Sequence, residues 1–185
     1  DILFLTKPLG VGILSTAQKK GLLKAEAEKI MVDTMCTLNK VGVELAQIAG
    51  VHAMTDVTGF GLLGHLLEML RGSRLSATID VSHIPLFPNI NHYLEAGAYP
   101  GGTTRNWDSY SHEIRFNFNL PDQGATKQNE QWKLILSDPQ TSGGLLIAVD
   151  PKDEQEVKNI LKRNNLNEQP IGRLTPLASK FIVIS

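Results

Sequence analysis

Residues 51–65, Val-His-Ala-Met-Thr-Asp-Val-Thr-Gly-Phe-Gly-Leu-Leu-Gly-His, place one acidic side chain, Asp56, in a glycine-punctuated turn between a short apolar run and a strongly apolar helix. A carboxylate beside free backbone N–H groups at a helix N-terminus suits a metal–phosphate ligand. A hard divalent cation such as Mg²⁺ takes carboxylate oxygens and fills its other positions with water and substrate phosphates. One aspartate on a tight turn is therefore enough for a domain to contribute to a shared metal site. On residue types alone a second reading competes and is the commoner one: Asp56 or Thr58 simply N-caps the helix that follows. Gly59, Gly61 and Gly64 crowd one and a half helical turns, although an interior glycine costs ~1 kcal/mol against alanine. They imply close approach of another backbone or of a ligand, and tight helix–sheet packing explains them equally well.

Two further segments carry chemistry-bearing groups. Pro100-Gly101-Gly102-Thr103-Thr104-Arg105-Asn106 reads as a flexible loop with hydroxyls, backbone donors and a guanidinium, the groups that hold an oxyanion; a solvated surface loop is the commoner case. Asp138-Pro139-Gln140-Thr141-Ser142-Gly143-Gly144 has the same ambiguity, since Pro139 can stop a helix and the glycines can supply unusual backbone angles. Neither matches a Walker A or a dinucleotide fingerprint. His52 and His65 flank the Asp56 turn and Glu68 follows one turn later, but no zinc-ligand spacing appears. His65 reads as a polar-face or packing residue and Cys36 as a buried small hydrophobe. No Ser/His/Asp or Cys/His set can be assembled from the sequence.

The elements that must position these residues follow from periodicity. Residues 2–6 read as a strand entering the turn 7–10, and 15–20 as a short helix. One helix is expected from Lys24 to Gly50, with Met31, Met35, Leu38, Gly42, Leu45 and Ala49 on one face. A strand at 51–55 leads into the Asp56 turn, and the helix 59–71 has a wide apolar arc with a narrow stripe of Gly61, His65 and Glu68. Alternation predicts strands at 75–81 and at 112–118, the latter with Ile114, Phe116 and Phe118 inward. Between them lies a loop-rich stretch with a short helix near 89–96. Residues 121–129 read as an exposed polar insertion and 130–137 as a helix. The continuously apolar run Leu145–Val149 reads as a central strand. Asp150 can N-cap the next helix with Pro151 at its first position, and strands near 170–174 and 180–184 close the chain. The expected class is α+β, a layered domain with one mixed sheet.

Composition narrows the partners. The 185 residues suffice for one domain with a real core. With 20% charged residues and a formal net charge of −1, neither disorder nor a nucleic-acid-coating surface is favoured, and no basic patch is interleaved with aromatics. No apolar run approaches the ~20 residues of a membrane span. The opening Asp1-Ile2-Leu3-Phe4-Leu5 lacks signal-peptide features, and a lone cysteine permits no internal disulfide, so a cytoplasmic setting is expected. Because the chain opens inside a strand-like run without Met, it is expected to be one domain of a longer protein.

As a set, these residues resemble the C-terminal half of the selenide, water dikinase (selenophosphate synthetase) family. The resemblance rests on Leu5-Thr6-Lys7-Pro8-Leu9-Gly10, Met35-Cys36 and Leu38-Asn39. It continues through Ala53–His65, Pro100-Gly101-Gly102-Thr103 with Arg105-Asn106, and Asp138–Leu146, in order across most of the chain. It implies an α/β/α-layered, AIR synthase C-terminal-domain-like fold spanning 1–185, following an N-terminal ATP-binding domain, in a homodimeric enzyme. That enzyme converts ATP, selenide and water to selenophosphate, AMP and orthophosphate with Mg²⁺. Asp56 matches the family's C-terminal metal-ligand aspartate, and Thr58, Gly59 and Gly61 would shape the nucleotide-binding turn. The family's reactive Cys or selenocysteine and its nearby Lys belong to the N-terminal half, and Cys36 does not match the reactive position. The chain alone is thus expected to be inactive. A non-catalytic module on the same fold, or a related ATP-dependent synthetase with another acceptor, are the alternatives.

Overall fold

The apolar run Leu145–Val149 is strand β5, buried at every residue, and the sheet is assembled around it. In the computed structural model, which describes residues 1–118 and 122–185 (the backbone alone for 122–126), β5 lies between β1 (Ile2–Leu5) and β2 (Val51–Asp56), antiparallel to both. β3 (Leu75–Ile79), β4 (Ile114–Phe116), β6 (Pro170–Pro176) and β7 (Ile182–Ile184) complete a seven-stranded sheet of order β2-β5-β1-β6-β3-β7-β4. The pairs β3–β7 and β4–β7 are parallel, so the sheet is mixed.

Alternation along β1 and β5 divides two cores. Leu3, Leu5, Leu146 and Ala148 join the larger one, where they meet Leu62, Leu63, Leu66 and Leu67 of α4 (Gly61–Ser73). Ile13 and Leu14 of α1 (Val11–Lys19), Met31 of α2 (Ala25–Cys36), and Ile135 and Leu136 of α7 (Asp122–Leu136) cover the same face. Phe4, Leu145, Ile147 and Val149 point the other way, onto Val41 and Leu45 of α3 (Val41–Leu45) and Val157, Ile160 and Leu161 of α8 (Glu154–Arg163). The result is the layered α+β domain with a mixed sheet that the order of elements predicts, in the α/β/α form that the resemblance implies.

Four expectations are corrected. The helix over 24–50 is two helices broken at 37–40, where Lys7 Nζ takes the Thr37 carbonyl at 2.6 Å and Asn39 Nδ2 donates to the Gly143 carbonyl at 2.9 Å. These bonds draw the backbone out of the helical ladder, and the single face dissolves: Leu38 is 76% exposed and Ala49 is exposed. Segment 101–110 is α6 (Gly101–Tyr110), not a loop; Pro100 stands in extended conformation at its N-cap. Helix α1 begins at Val11, four residues early, because its N-terminus is capped from across the fold. The polar stretch near 122–129 is the start of α7, while the expectation of exposed side chains at 121–126 falls outside the described residues. Asp150 does cap as predicted, accepting from Lys152 N at 3.0 Å over a single 3-10 turn that feeds α8.

Two close approaches set the backbone beside the Asp56 turn. Val57 N donates to the Gly144 carbonyl at 2.8 Å, and a Cβ on Gly143 would run into the Val57 carbonyl oxygen. Gly59, two residues on, has open space where a Cβ would go. Gly143→Ala is therefore expected to lower unfolding free energy by about 1–3 kcal/mol, the typical range for overpacking. Gly59→Ala should stay within about 0.5 kcal/mol of wild type. Urea denaturation of both variants checks the pair, and equal stabilities would contradict this strand-end geometry.

Candidate functional site

Three segments singled out by residue type, at 56–61, 100–106 and 138–144, meet at the end of the sheet where β2 stops and β5 begins. Asp56 is the last residue of β2, opposite Leu145, the first of β5. Gln140 N and Gly61 N both donate to the Thr58 carbonyl, at 3.0 and 3.1 Å. From α6, Asn106 Nδ2 donates to the carbonyls of Gly59 (2.8 Å) and Ser137 (3.0 Å), and Tyr110 Oη donates to that of Phe60 at 3.1 Å. Lys7, 3% exposed, bonds the Ser142 carbonyl at 2.9 Å as well as that of Thr37; burial pushes its ammonium pKa down. Ser142 Oγ donates to the Met35 carbonyl at 2.7 Å.

Asp56 itself is exposed, and among the described residues its carboxylate enters no hydrogen bond or ion pair. Helix α4 has Phe60 at its N-cap and no side-chain cap at all, so neither Asp56 nor Thr58 is the cap that residue statistics favour. The Thr58 hydroxyl is instead 3.0 Å from His65 Nε2, while His65 Nδ1 is 3.0 Å from Glu68 Oε2. His65 is 8% exposed under the Phe60 ring, whose centroid lies 5.8 Å away. The sequence showed no hydroxyl–imidazole–carboxylate set because Thr58 precedes the helix and only the turn's fold-back brings it to His65. Glu68, three residues after His65, was the one legible signal.

The candidate glycines divide. Gly59 is exposed with free space above it. Gly61 is buried with φ +70°, and a Cβ there would lie 2.8 Å from the Ser137 carbonyl carbon, so the C-terminal end of α7 already occupies its open side. Cys36, expected to be buried, is exposed because its end of α2 is uncovered. Among the described residues no three His, Cys, Asp or Glu side chains converge as metal ligands.

Sequence reasoning missed Asp138. Its fully buried carboxylate accepts from Gly12 N (2.9 Å) and Ile13 N (3.3 Å) through Oδ2, with Gln140 Nε2 at 2.9 Å and Thr103 Oγ1 at 3.4 Å. Gln140 Oε1 takes Gly10 N and Val11 N, each at 3.2 Å. Together they satisfy the free N–H groups of α1, a tertiary cap invisible in local sequence.

The profile of the family described as AIR synthase related protein, C-terminal domain, matches residues 1–184. The chain belongs to that family. Within it, the chain is similar to proteins named selenide, water dikinase. The one from Aeromonas salmonicida is 52% identical over 174 residues, 94% of this chain and 47% of the relative. That from Pseudomonas aeruginosa is 51% identical over 182 residues, 98% of this chain and 50% of the relative. The chain therefore spans about half the length of the curated relatives it matches. Its fold is shared with thiamine-monophosphate kinase from Stenotrophomonas maltophilia (TM-score 0.62, 14% identity, 100% of this chain and 50% of the other). It is shared too with the E. coli hydrogenase maturation protein HypE (TM-score 0.63, 19% identity, 99% and 45%). No helix among the described residues is long and apolar enough to cross a membrane.

The environment of Asp138 gives a family-domain property that can be measured. Burial pushes its pKa up to about 7 against the four donors that pull it down. The folded state then keeps a proton that the unfolded chain releases near pH 4. The stability conferred by the neutral form is complete below about pH 4 and drains away as pH rises to 7. Between pH 5 and 7.5 the wild type should lose roughly 2 kcal/mol more than Asp138→Asn. Denaturant midpoints of both proteins at the two pH values measure the difference, and parallel pH dependences would show that Asp138 titrates like an exposed carboxylate.

Proposed function

We propose that this chain is the C-terminal half of a selenide, water dikinase, the enzyme that makes selenophosphate, AMP and orthophosphate from ATP, selenide and water. The observation that carries the reading is the exposed Asp56 carboxylate, which among the described residues enters no hydrogen bond or ion pair although the backbone that carries it is firmly held. Asp56 projects from a turn held by α6, the 138–144 segment and the start of α4, and among the described residues its carboxylate makes no bond within the fold. The near-50% identity to proteins of that name along almost the whole chain supports the choice of reaction.

In this reading Asp56 is one ligand of a Mg²⁺–ATP site completed by the ATP-binding half that precedes the domain. A single carboxylate oxygen donor on a rigid turn fits a hard cation that keeps phosphate and water as its remaining ligands. The bound cation would neutralise phosphate charge during transfer. Thr58 and Gly59 line the approach to the turn, Gly59 leaving room for a phosphate or ribose where a side chain would stand, and Gly61 holds the turn against α7. The domain is inactive alone, and the full-length protein is a cytoplasmic homodimer in this reading.

The test uses the full-length protein. AMP formation from ATP should depend on selenide. Asp56→Asn should lower kcat/KM by about 100-fold or more and raise the Mg²⁺ concentration needed for half activity, while the melting temperature stays put because Asp56 holds nothing in the fold. Normal Mg²⁺ dependence in the variant would defeat the metal assignment. Selenide-independent ATP cleavage, or a preference for another acceptor, would defeat the reaction.

A further inference from the structure

The Thr58–His65–Glu68 chain has a direction, and the direction bears on the Asp56 turn. Glu68, exposed at the far end, has a carboxylate that only accepts, so the Nδ1 atom of His65, 3.0 Å away, is the nitrogen that carries the ring proton. In the neutral ring Nε2 is then bare, and the Thr58 hydroxyl at 3.0 Å must donate to it. With its proton directed back into the α4 N-terminal turn, the Thr58 oxygen keeps only lone pairs for anything entering from the Asp56 side. Burial keeps the His65 ring, the middle of this chain, out of water, with the Phe60 ring centroid 5.8 Å from its own. Thr58 stands two residues after Asp56, on the far side of the fully buried Val57, as alternating side chains leaving a strand do.

We propose that His65, oriented by Glu68, is a positioning residue that fixes the Thr58 hydroxyl as a hydrogen-bond acceptor facing the Asp56 turn. An acceptor at that point suits a donor: a water of a hydrated divalent cation held by Asp56, or a ribose hydroxyl. It is wrong for an unprotonated phosphate oxygen, which needs a donor. The relay thus selects what part of a metal–nucleotide stands beside Thr58. This inference rests on the Mg²⁺–ATP reading of the turn and refines it.

Two measurements on the full-length protein test it. Long-range ¹H–¹⁵N correlation spectra at pH 8 should show His65 with a protonated Nδ1 and a bare Nε2. The Nε2 resonance should shift in the isosteric Thr58→Val variant. Glu68→Ala, a surface change that leaves the fold alone, should mix the tautomers. A wild-type ring protonated at Nε2 instead overturns the proposal without any ligand present. In calorimetric titration with Mg²⁺–ATP, Thr58→Val and His65→Leu should each raise Kd about tenfold, the worth of one hydrogen bond away from water. The double variant should be no weaker than the worse single one, and Thr58→Ser should stay within about twofold of wild type. Thr58→Val binding as tightly as wild type, or single effects that multiply, would reduce His65 to a packing residue. Wild-type protein that binds no Mg²⁺–ATP would instead sink the functional reading, and is told apart because the failure is then present before any substitution.

Discussion

The N-terminus of α1 has no cap of its own, and the solution to that deficit organises the site end of the domain. Gly10 at the N-cap offers no side chain, and the first N–H groups of the helix are buried, where leaving them unpaired would cost ~1–3 kcal/mol each. Asp138 and Gln140 reach across more than a hundred residues of sequence to take four of them. That requirement fixes the conformation of the segment after α7. Once fixed, the segment hands Gln140 N to the Thr58 carbonyl, Gly144 O to Val57 and the Ser142 and Gly143 carbonyls to Lys7 and Asn39. The Asp56 turn is therefore held by a loop whose own shape is dictated by a helix end elsewhere.

The same dependence explains which parts of the fold could be read from sequence. β5 announces itself because five consecutive buried apolar residues have no amphipathic alternative, and α4 because its apolar arc exceeds half its circumference. Elements that failed were those whose ends are set by distant partners. α1 starts at Val11 because of Asp138 and Gln140; α2 stops at Cys36 because Lys7 and Asn39 pull on the next residues. α6 is helical despite opening on Gly101-Gly102, a pair whose propensity argues against it. Its Thr103, Asn106 and Tyr110 each bond another segment, and Trp107 stacks on Phe116 at 5.8 Å, so tertiary contacts override the local preference.

For the site, residue chemistry identified the right segments but not their relation. Asp56, the 100–106 stretch and the 138–144 stretch were each ambiguous alone, with a bland explanation at least as good. Their convergence separates the roles. Asp138 is a cap, Asn106 and Tyr110 are clamps on the turn, and Gly61 and Gly143 accommodate neighbouring backbone. Asp56 loses the bland explanation altogether, since α4 has no side-chain cap. No periodicity in the sequence could reveal that, because capping depends on the backbone angles of the two or three residues between the carboxylate and the helix.

What remains is a contrast between groups committed to the fold and groups left free. Lys7, Thr103, Asp138 and Gln140 are buried polar residues with their hydrogen bonds satisfied internally. A buried polar network of this kind makes a stiff support, because any displacement strands a donor or acceptor away from water. The Asp56 carboxylate and the open space at Gly59 stand on that support, and among the described residues the carboxylate enters no hydrogen bond or ion pair. An exposed aspartate on a mobile loop would lose backbone entropy on meeting a cation; one at the end of a paired strand, beside a turn hydrogen-bonded to three other segments, has lost the backbone share in folding already and keeps only its side-chain rotamers to order. Preorganisation of that sort lowers the cost of ordering a group when it meets a ligand, and in the proposed reading it would serve a carboxylate whose co-ligands come from elsewhere.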